Sequence, residues 1–345
     1  MTAKRNLKTK TKRMLIRLAG ALLLLALSLF LFACTRTSSN PPGPAEKVTI
    51  AYSATTDSVL AQVAQMRGFY RDEGLDAVLQ KHPYGKLALK EVLEGKADFA
   101  TVAETPVMFA VMNGEKLSII ATIQTSGKNN AIIARRDRGI LTFRDLKGKK
   151  IAATLGTTSE FYMDAILIMN GISRKDVKVI NLKAEEMPAA LSNGDIDAVS
   201  AFIPYTNYAL NKLGGNGIMF SEDNIYTWTF NVVSTQDFIR KNPGKVGKLL
   251  RALIKAEVFV KENPDEAQKI VADFSGMDIS IVRNIWADTD FTVTLDQSLL
   301  LALEDESRWA IDSKLTTAKK VPNYLDYIYF DGLKSAKPGA ANILR

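Results

Sequence analysis

The sequence predicts an α/β fold built as two lobes, and three observations carry that prediction. From Val48 onward, short apolar segments of strand character alternate with amphipathic segments of helical spacing. The alternation runs in two successive series. Each series also contains a glycine followed three residues later by an aspartate just before a strand, Gly95 with Asp98 and Gly194 with Asp197.

In the first series VTIAYS reads as a strand, followed by a helix from about Asp57, the strand DAVLQ and a helix up to Glu94. DFATV, a helix to Met112 and LSIIATI complete it. Such alternation predicts a mostly parallel sheet covered by helices. The second series follows AIIAR: KKIAATL, a helix from Thr158 to Met169, VKVINL, a helix ending near Asn193, AVSAF, a further helix and GIMFS. TWTFNVVS then reads as a strand returning to the first lobe. The rest is mainly helical, over residues 244–261, 264–274, 279–287 and 296–311. Val246, Leu249, Leu250, Leu253, Ile254 and Val258 keep helical spacing and predict a packed face. In both series the glycine can end a helix in a left-handed conformation. The strand after it runs into a proline-containing loop, Glu104-Thr105-Pro106 or Phe202-Ile203-Pro204-Tyr205. Ligands of open α/β sheets lie outside the C-terminal ends of the strands, so both loops point to one shared cleft.

Residues 1–33 hold seven basic residues and no acid, and the apolar run from Leu18 to Ala33 completes the layout of a secretory signal. The run ends in Leu31-Phe32-Ala33-Cys34, which resembles a bacterial lipobox, where the cysteine takes a diacylglycerol and becomes the new N-terminus. Phe32 is bulkier than the residue usual there. An uncleaved transmembrane anchor is the competing reading, because the run approaches the length that spans a bilayer. Both readings place the remainder outside the cytoplasm. TRTSSNPPGPAE, residues 35–46, reads as a polar tether that extends a few nanometres at roughly 3 Å per residue.

Seven of the 45 basic residues lie in that first segment, leaving 38 against 37 acidic ones. The net charge of +8 therefore belongs mostly to the segment and gives no support for nucleic acid as a partner. Cys34 is the single cysteine and His82 the single histidine. With Cys34 acylated no thiol remains for a disulfide, a metal or nucleophilic attack, and a multi-histidine metal site is impossible. A Ser-His-Asp arrangement would have to use His82, which follows a strand in Lys81-His82-Pro83-Tyr84 and reads as an exposed loop residue. The balance favours binding without a cofactor over catalysis.

Thr157 to Glu160 reads as a capping box, in which the Thr157 hydroxyl accepts from the Glu160 amide and the Glu160 carboxylate reaches back. Gly156 allows close backbone approach. The amides and hydroxyls of Thr158 and Ser159 sit at the positive end of a helix, which suits a carboxylate, sulfonate or phosphate. An ordinary cap with water in place of ligand is the alternative. Ser53-Ala54-Thr55-Thr56-Asp57 repeats the design after the first strand. Tyr84, Phe161, Tyr162, Tyr205, Tyr226 and Trp228 stand beside these loops, where one or two can sandwich an organic group. Glu104 differs: at the cleft it would repel an anion and pair with a ligand ammonium. Together with the Thr157 helix end it makes a zwitterion an attractive ligand.

Gln65-Met66-Arg67-Gly68-Phe69-Tyr70-Arg71-Asp72-Glu73-Gly74-Leu75-Asp76 resembles the opening signature of substrate-binding proteins of nitrate, sulfonate and taurine ABC importers. Further matches follow in order: Glu94-Gly95-Lys96-Ala97-Asp98-Phe99, Asp145-Leu146-Lys147-Gly148-Lys149-Lys150-Ile151-Ala152, Asn170-Gly171-Ile172 and Gly194-Asp195-Ile196-Asp197-Ala198. Together they cover about residues 48–237. The resemblance implies a two-lobed periplasmic-binding-protein-like fold of type II, each lobe a mixed sheet flanked by helices. Strands near residues 131–135 and 226–234 would cross between the lobes. The chain then divides into a signal (1–33), a tether (34–46), a first lobe (47–130 and 228–345) and a second lobe (131–227).

Carried over onto this sequence, the family's ligand loops are Ser53 to Thr56, Ala103 to Thr105 and Thr157 to Ser159, which makes Ser53, Thr55, Thr56, Glu104, Thr105, Thr157, Thr158 and Ser159 the candidate ligand residues; Tyr84, Tyr205 and Trp228 beside them are the aromatic candidates. The resemblance implies an extracytoplasmic, lipid-anchored monomer that captures a small anionic or zwitterionic solute and delivers it to a permease. ATP hydrolysis would belong to a separate ATPase subunit, in keeping with the lack of a Walker-type loop here. A carrier of a pyrimidine or thiamin precursor is the alternative. Thiamin-pyrimidine synthases also resemble these proteins, but use pyridoxal and a cysteine-rich motif that this chain lacks. A sensor for a membrane receptor would use the same cleft.

Overall fold

The protein is described by a computed structural model over residues 44–222 and 225–344. The basic segment, Cys34 and most of the tether lie outside the described residues. The chain lays down β1 (Glu46–Ser53), β2 (Leu75–His82), β3 (Phe99–Ala103) and β4 (Leu117–Ser126), then enters a second sheet through residues 127–129. That sheet comprises β5 (Asn130–Arg135), β6 (Lys150–Ala153), β7 (Lys178–Asn181), β8 (Ala198–Phe202) and β9 (Gly217–Phe220). The chain rejoins the first sheet at β10 (Trp228–Thr235) and adds the edge strand β11 (Thr289–Asp290). The strand orders are β11-β4-β10-β3-β1-β2 and β7-β6-β8-β5-β9. Both sheets are mixed. β1 runs parallel to β2 and β3 while β10 is antiparallel to β3 and β4; likewise β6 runs parallel to β7 and β8 while β5 is antiparallel to β8 and β9.

The glycine and aspartate repeat has a structural cause. Gly95 and Gly194 adopt positive φ of 71° and 84°, reversing the chain after a helix. Asp98 then clamps β1, its amide donating to the Thr49 carbonyl at 2.9 Å and its Oδ2 accepting from the Thr49 amide at 2.8 Å. Asp197 grips Lys150 of β6 in the same two ways, each at 2.9 Å. Each aspartate fixes the register of a central strand, β3 or β8. Both strands are buried along their whole length, as their unbroken small and apolar sequences FATVA and AVSAF require.

Helices cover the outer faces. The tail forms helices Pro243–Glu262, Pro264–Ser275, Ile279–Trp286 and Gln297–Asp312. In the longest of these, Val246, Leu249, Leu250 and Leu253 are buried and Ile254 is partly buried, but Val258 is 48 % exposed. Each step of four residues advances about 40° around a helix, which carries Val258 off the buried face. His82 also departs from expectation: it is the last residue of β2 and half-buried, and burial holds its imidazole below the usual range. The helix Gln297–Asp312 touches both halves. Trp309 packs on Phe109 and on Phe161, and its Nε1 donates to Asp164 Oδ2 at 3.0 Å. On the opposite side Tyr205 reaches from the second half to the Pro83 carbonyl at 3.2 Å.

Candidate functional site

The C-terminal ends of β1, β3, β6 and β8 meet in one cleft, lined there by Asp57, Ala103, Thr157, Thr158 and Phe202, with Trp228 at the start of β10. It holds two adjoining chambers. The smaller, about 20 Å³, is enclosed by Asp57, Tyr84, Lys86, Thr157, Thr158 and Phe202, among others. The larger, about 260 Å³, is lined by Thr56, Gln124, Asn130, Ile203, Thr206 and the helix residue Asn284, among others. Trp228 and Asn129 line both chambers, so the indole forms part of the wall between them.

The turn after β1 is a relay of side chains. The Ser53 and Thr55 hydroxyls lie 2.6 Å apart, and Thr55 Oγ1 donates to Asp57 Oδ2, also at 2.6 Å. These hydroxyls are therefore spent inside the turn. Asp57 ends the relay with its other oxygen, Oδ1, buried and without a partner. Burial pushes its carboxyl up to about 7, and the Thr55 hydrogen bond only partly offsets this. The Thr56 carbonyl accepts from Gln124 Nε2 at 3.1 Å, which leaves Gln124 Oε1 buried and unpaired.

The turn after β6 is more self-contained. Thr157 Oγ1 donates to the Thr154 carbonyl at 2.6 Å and accepts from the Ser159 amide at 3.3 Å. Glu160 reaches back to the Gly156 amide at 2.7 Å, so the expected capping box is displaced at both ends. The Glu160 amide instead donates to the Thr157 carbonyl, because the first turn winds tightly there. Ser159 is tied up by the Thr154 amide on its hydroxyl and by Ser200 on its carbonyl, and it faces away from both chambers. Thr158 bonds only loosely to Asn130 Oδ1, at 3.3 Å, and its first-turn amide has no acceptor within the helix. Gly156 has φ 71°, and a Cβ there would lie 2.7 Å from Lys86 Nζ, which donates to the Leu155 carbonyl at 2.6 Å.

The cleft thus brings together Thr56, Tyr84, Thr157, Thr158 and Trp228 from the expected residues, with Ser53, Thr55 and Ser159 behind them. Glu104 and Thr105 are placed elsewhere. Glu104 Oε2 accepts from the amide and hydroxyl of Thr229 at 2.8 and 3.1 Å, and Thr105 Oγ1 donates to Glu306 Oε1 at 2.6 Å. Burial pushes Glu104 up to about 8, and burial beside Glu104 raises Glu306 well above the carboxylate range. Tyr205 lines a groove with His82 and Pro83 at the cleft's edge. Sequence reasoning missed Asp57 as a side chain of the wall, and also Lys86, Gln124, Asn129, Asn130 and the wall made by Ile281, Asn284 and Ile285. Asp57 was legible as an acid ending a hydroxyl-rich turn. The helical wall carries no local signal.

Two mixed sheets that present their parallel strand ends to one shared cleft define a protein of the two-lobed periplasmic-binding-protein class. A family model described as NMT1/THI5 like matches residues 55–267, and the chain belongs to that family. It is 26 % identical over 316 residues to a putative aliphatic sulfonates-binding protein of Bacillus subtilis, covering 88 % of this chain and 94 % of the relative. Its fold is similar to that of the alkanesulfonate-binding protein SsuA from Xanthomonas axonopodis pv. citri bound to MOPS, with a TM-score of 0.71 and 18 % identity, over 85 % of this chain and 99 % of that one. It is also similar to the periplasmic nitrate-binding protein NrtA from Synechocystis PCC 6803, with a TM-score of 0.70 and 15 % identity, over 86 % and 89 %.

Proposed function

We propose that this chain is the extracytoplasmic solute-binding component of an ABC importer. It captures a small anionic or zwitterionic solute, such as a sulfonate, taurine or nitrate, in the cleft and delivers it to a permease driven by a separate ATPase. One observation carries the reading. A buried indole N–H without a partner and a helix N-terminus, with the first-turn amide of Thr158 free of any acceptor within the helix, converge on the cleft, where donors favour an acidic group. The sulfonate-binding and nitrate-binding relatives support the same solute class.

Residues 47–130 and 228–345 act as one lobe and residues 131–227 as the other. Closure of the lobes buries the solute and creates the surface that the permease selects. A diacylglycerol on Cys34 holds this monomer beside the permease at an effective concentration that free diffusion would not maintain. No cofactor or chemical step is part of the reading.

Calorimetry of the domain from residue 46 onward, against sulfonates, nitrate, bicarbonate, amino acids and pyrimidines, tests it. Saturable binding of an acid is expected, and replacing Thr157 and Thr158 by alanine weakens it. Saturable binding of a neutral aromatic or purely cationic compound alone rejects it.

A further inference from the structure

Trp309 belongs to the part of the chain proposed above as the first lobe, yet it spends its side chain on the second. The helix that carries it, Gln297–Asp312, is fastened within the first lobe. Thr105 donates to Glu306 at 2.6 Å, and the hydroxyls of Ser307 and Tyr324 lie 2.6 Å apart. The last turn of this helix projects Trp309 between the helices Glu104–Met112 and Thr158–Met169, one from each lobe. The indole meets Phe109 with ring centroids 5.9 Å apart and Phe161 with 5.1 Å, both edge to face. Its Nε1 donates to Asp164 Oδ2 at 3.0 Å, and both residues are buried. Asp164 Oδ1 has no partner, so this buried carboxylate depends on the indole and on Arg174 for its donors.

Trp309, Phe161 and Asp164 stand outside both chambers. Asp164 nevertheless lies six residues after Thr158, on the helix whose N-terminus faces the cleft. Lys86 and Tyr205 also cross between the lobes, but each ends on a backbone carbonyl and neither bond is enclosed as the indole bond is. The indole thus ties the donor-bearing helix of the second lobe to the frame of the first. A bond of 3.0 Å holds only while the lobes stay together, because a hinge rotation that separates them carries donor and acceptor out of range. We propose that Trp309 is a positioning residue, a latch that favours the closed arrangement of the lobes and so sets solute affinity without choosing the solute. The inference rests on the lobe closure proposed above. A latch raises the fraction of molecules competent to bind, and that fraction scales the affinity of every solute alike.

Trp309→Phe keeps an aromatic ring and removes the N–H. In calorimetry with taurine, ethanesulfonate and nitrate, each probe that binds wild type is expected to bind the variant about tenfold more weakly, the scale of a hydrogen bond to a charged group. The ratios between probes should not change. The domain from residue 46 onward has no cysteine, so Lys96→Cys and Lys212→Cys, at exposed positions, put one spin label on each lobe. In the ligand-free variant the label spacing should move away from that of solute-bound wild type, and saturating solute should restore it. Thermal melting checks folding. If Trp309→Phe does not fold, Asp164→Asn decides, with a loss of about threefold because a neutral acceptor weakens the same bond. Unchanged affinity, or a loss that differs between probes, overturns the latch. Solute binding by a wild type whose label spacing does not respond overturns closure and latch together and leaves binding intact. Binding of none of the probes counts against the proposed function as well.

Discussion

The turn after β1 (residues 53–58) and the turn after β6 (residues 154–160) look alike in sequence, each a hydroxyl-rich stretch that opens a helix. In the fold they differ in where their polar groups go. The side chains of the second turn find their partners within the protein. The Thr157 and Ser159 hydroxyls bond within the turn, those of Thr154 and Thr158 reach Leu182 and Asn130, and Glu160 is held by the Gly156 amide and by Arg174 at 2.6 Å. The first turn passes its hydrogen bonds along Ser53 and Thr55 to Asp57 and stops at an unpaired oxygen. A satisfied turn stabilises the fold; an unsatisfied one in a cleft is a demand placed on a ligand.

Arg174→Ala should have the largest effect on the second turn. Arg174 also pairs with Asp164, and both acids are 3 % exposed in their side chains. Removing the cation leaves two buried carboxylates uncompensated, and the expected loss in urea unfolding is about 3 kcal/mol or more. A loss below about 1 kcal/mol would mean that the second turn does not depend on its own pairing.

The pH dependence of the ligand-free protein comes next in size. Burial raises Asp57 from 3.8 to about 7, so the folded state binds its proton more tightly than the unfolded chain does. The stability from this group is fully present below the unfolded value and is lost as pH rises through about 7. The slope is at most about 1.4 kcal/mol per pH unit. Glu104 and Glu306 act in the same direction, so the measurement is the difference between wild type and Asp57→Asn. Tyr84 and Tyr205 face Asp57 but are raised further by burial and stay neutral in this window; Lys86 supplies a cation on the same wall. Asp57→Asn should gain on wild type between pH 5 and pH 8. Parallel curves would show that the Asp57 carboxylate is compensated already.

Thr157→Ala is expected to have the smallest effect. It removes a helix cap and a hydrogen bond to Thr154, about 1 kcal/mol in thermal unfolding. Acid affinity should fall several-fold alongside. A fall in affinity with no change in stability would move Thr157 from the class of self-satisfied residues to that of ligand contacts.

The comparison of Glu104 with Asp57 shows where sequence reading reached its limit. Both are acids at a strand end that opens a helix, and an acid able to meet an ammonium was expected at Glu104. Its carboxylate instead bonds to Thr229, 125 residues away, beside Glu306 on the helix Gln297–Asp312. No local pattern reports such a partner. In the sequence the hydroxyls around Asp57 look like the binding groups, whereas in the fold they serve to hold it.

By itself the sequence determined the alternation of strands and helices, the two series, and the glycine and aspartate turns that set their central strands. These follow from periodicity and from groups a few residues apart, because backbone hydrogen bonding and apolar burial act at short range along the chain. Tertiary structure alone decided which polar atoms are left over. Satisfaction is a property of neighbours in space, so only the packed fold could leave Asp57, Gln124 and Trp228 unpaired in the cleft and enclose Glu104 outside it.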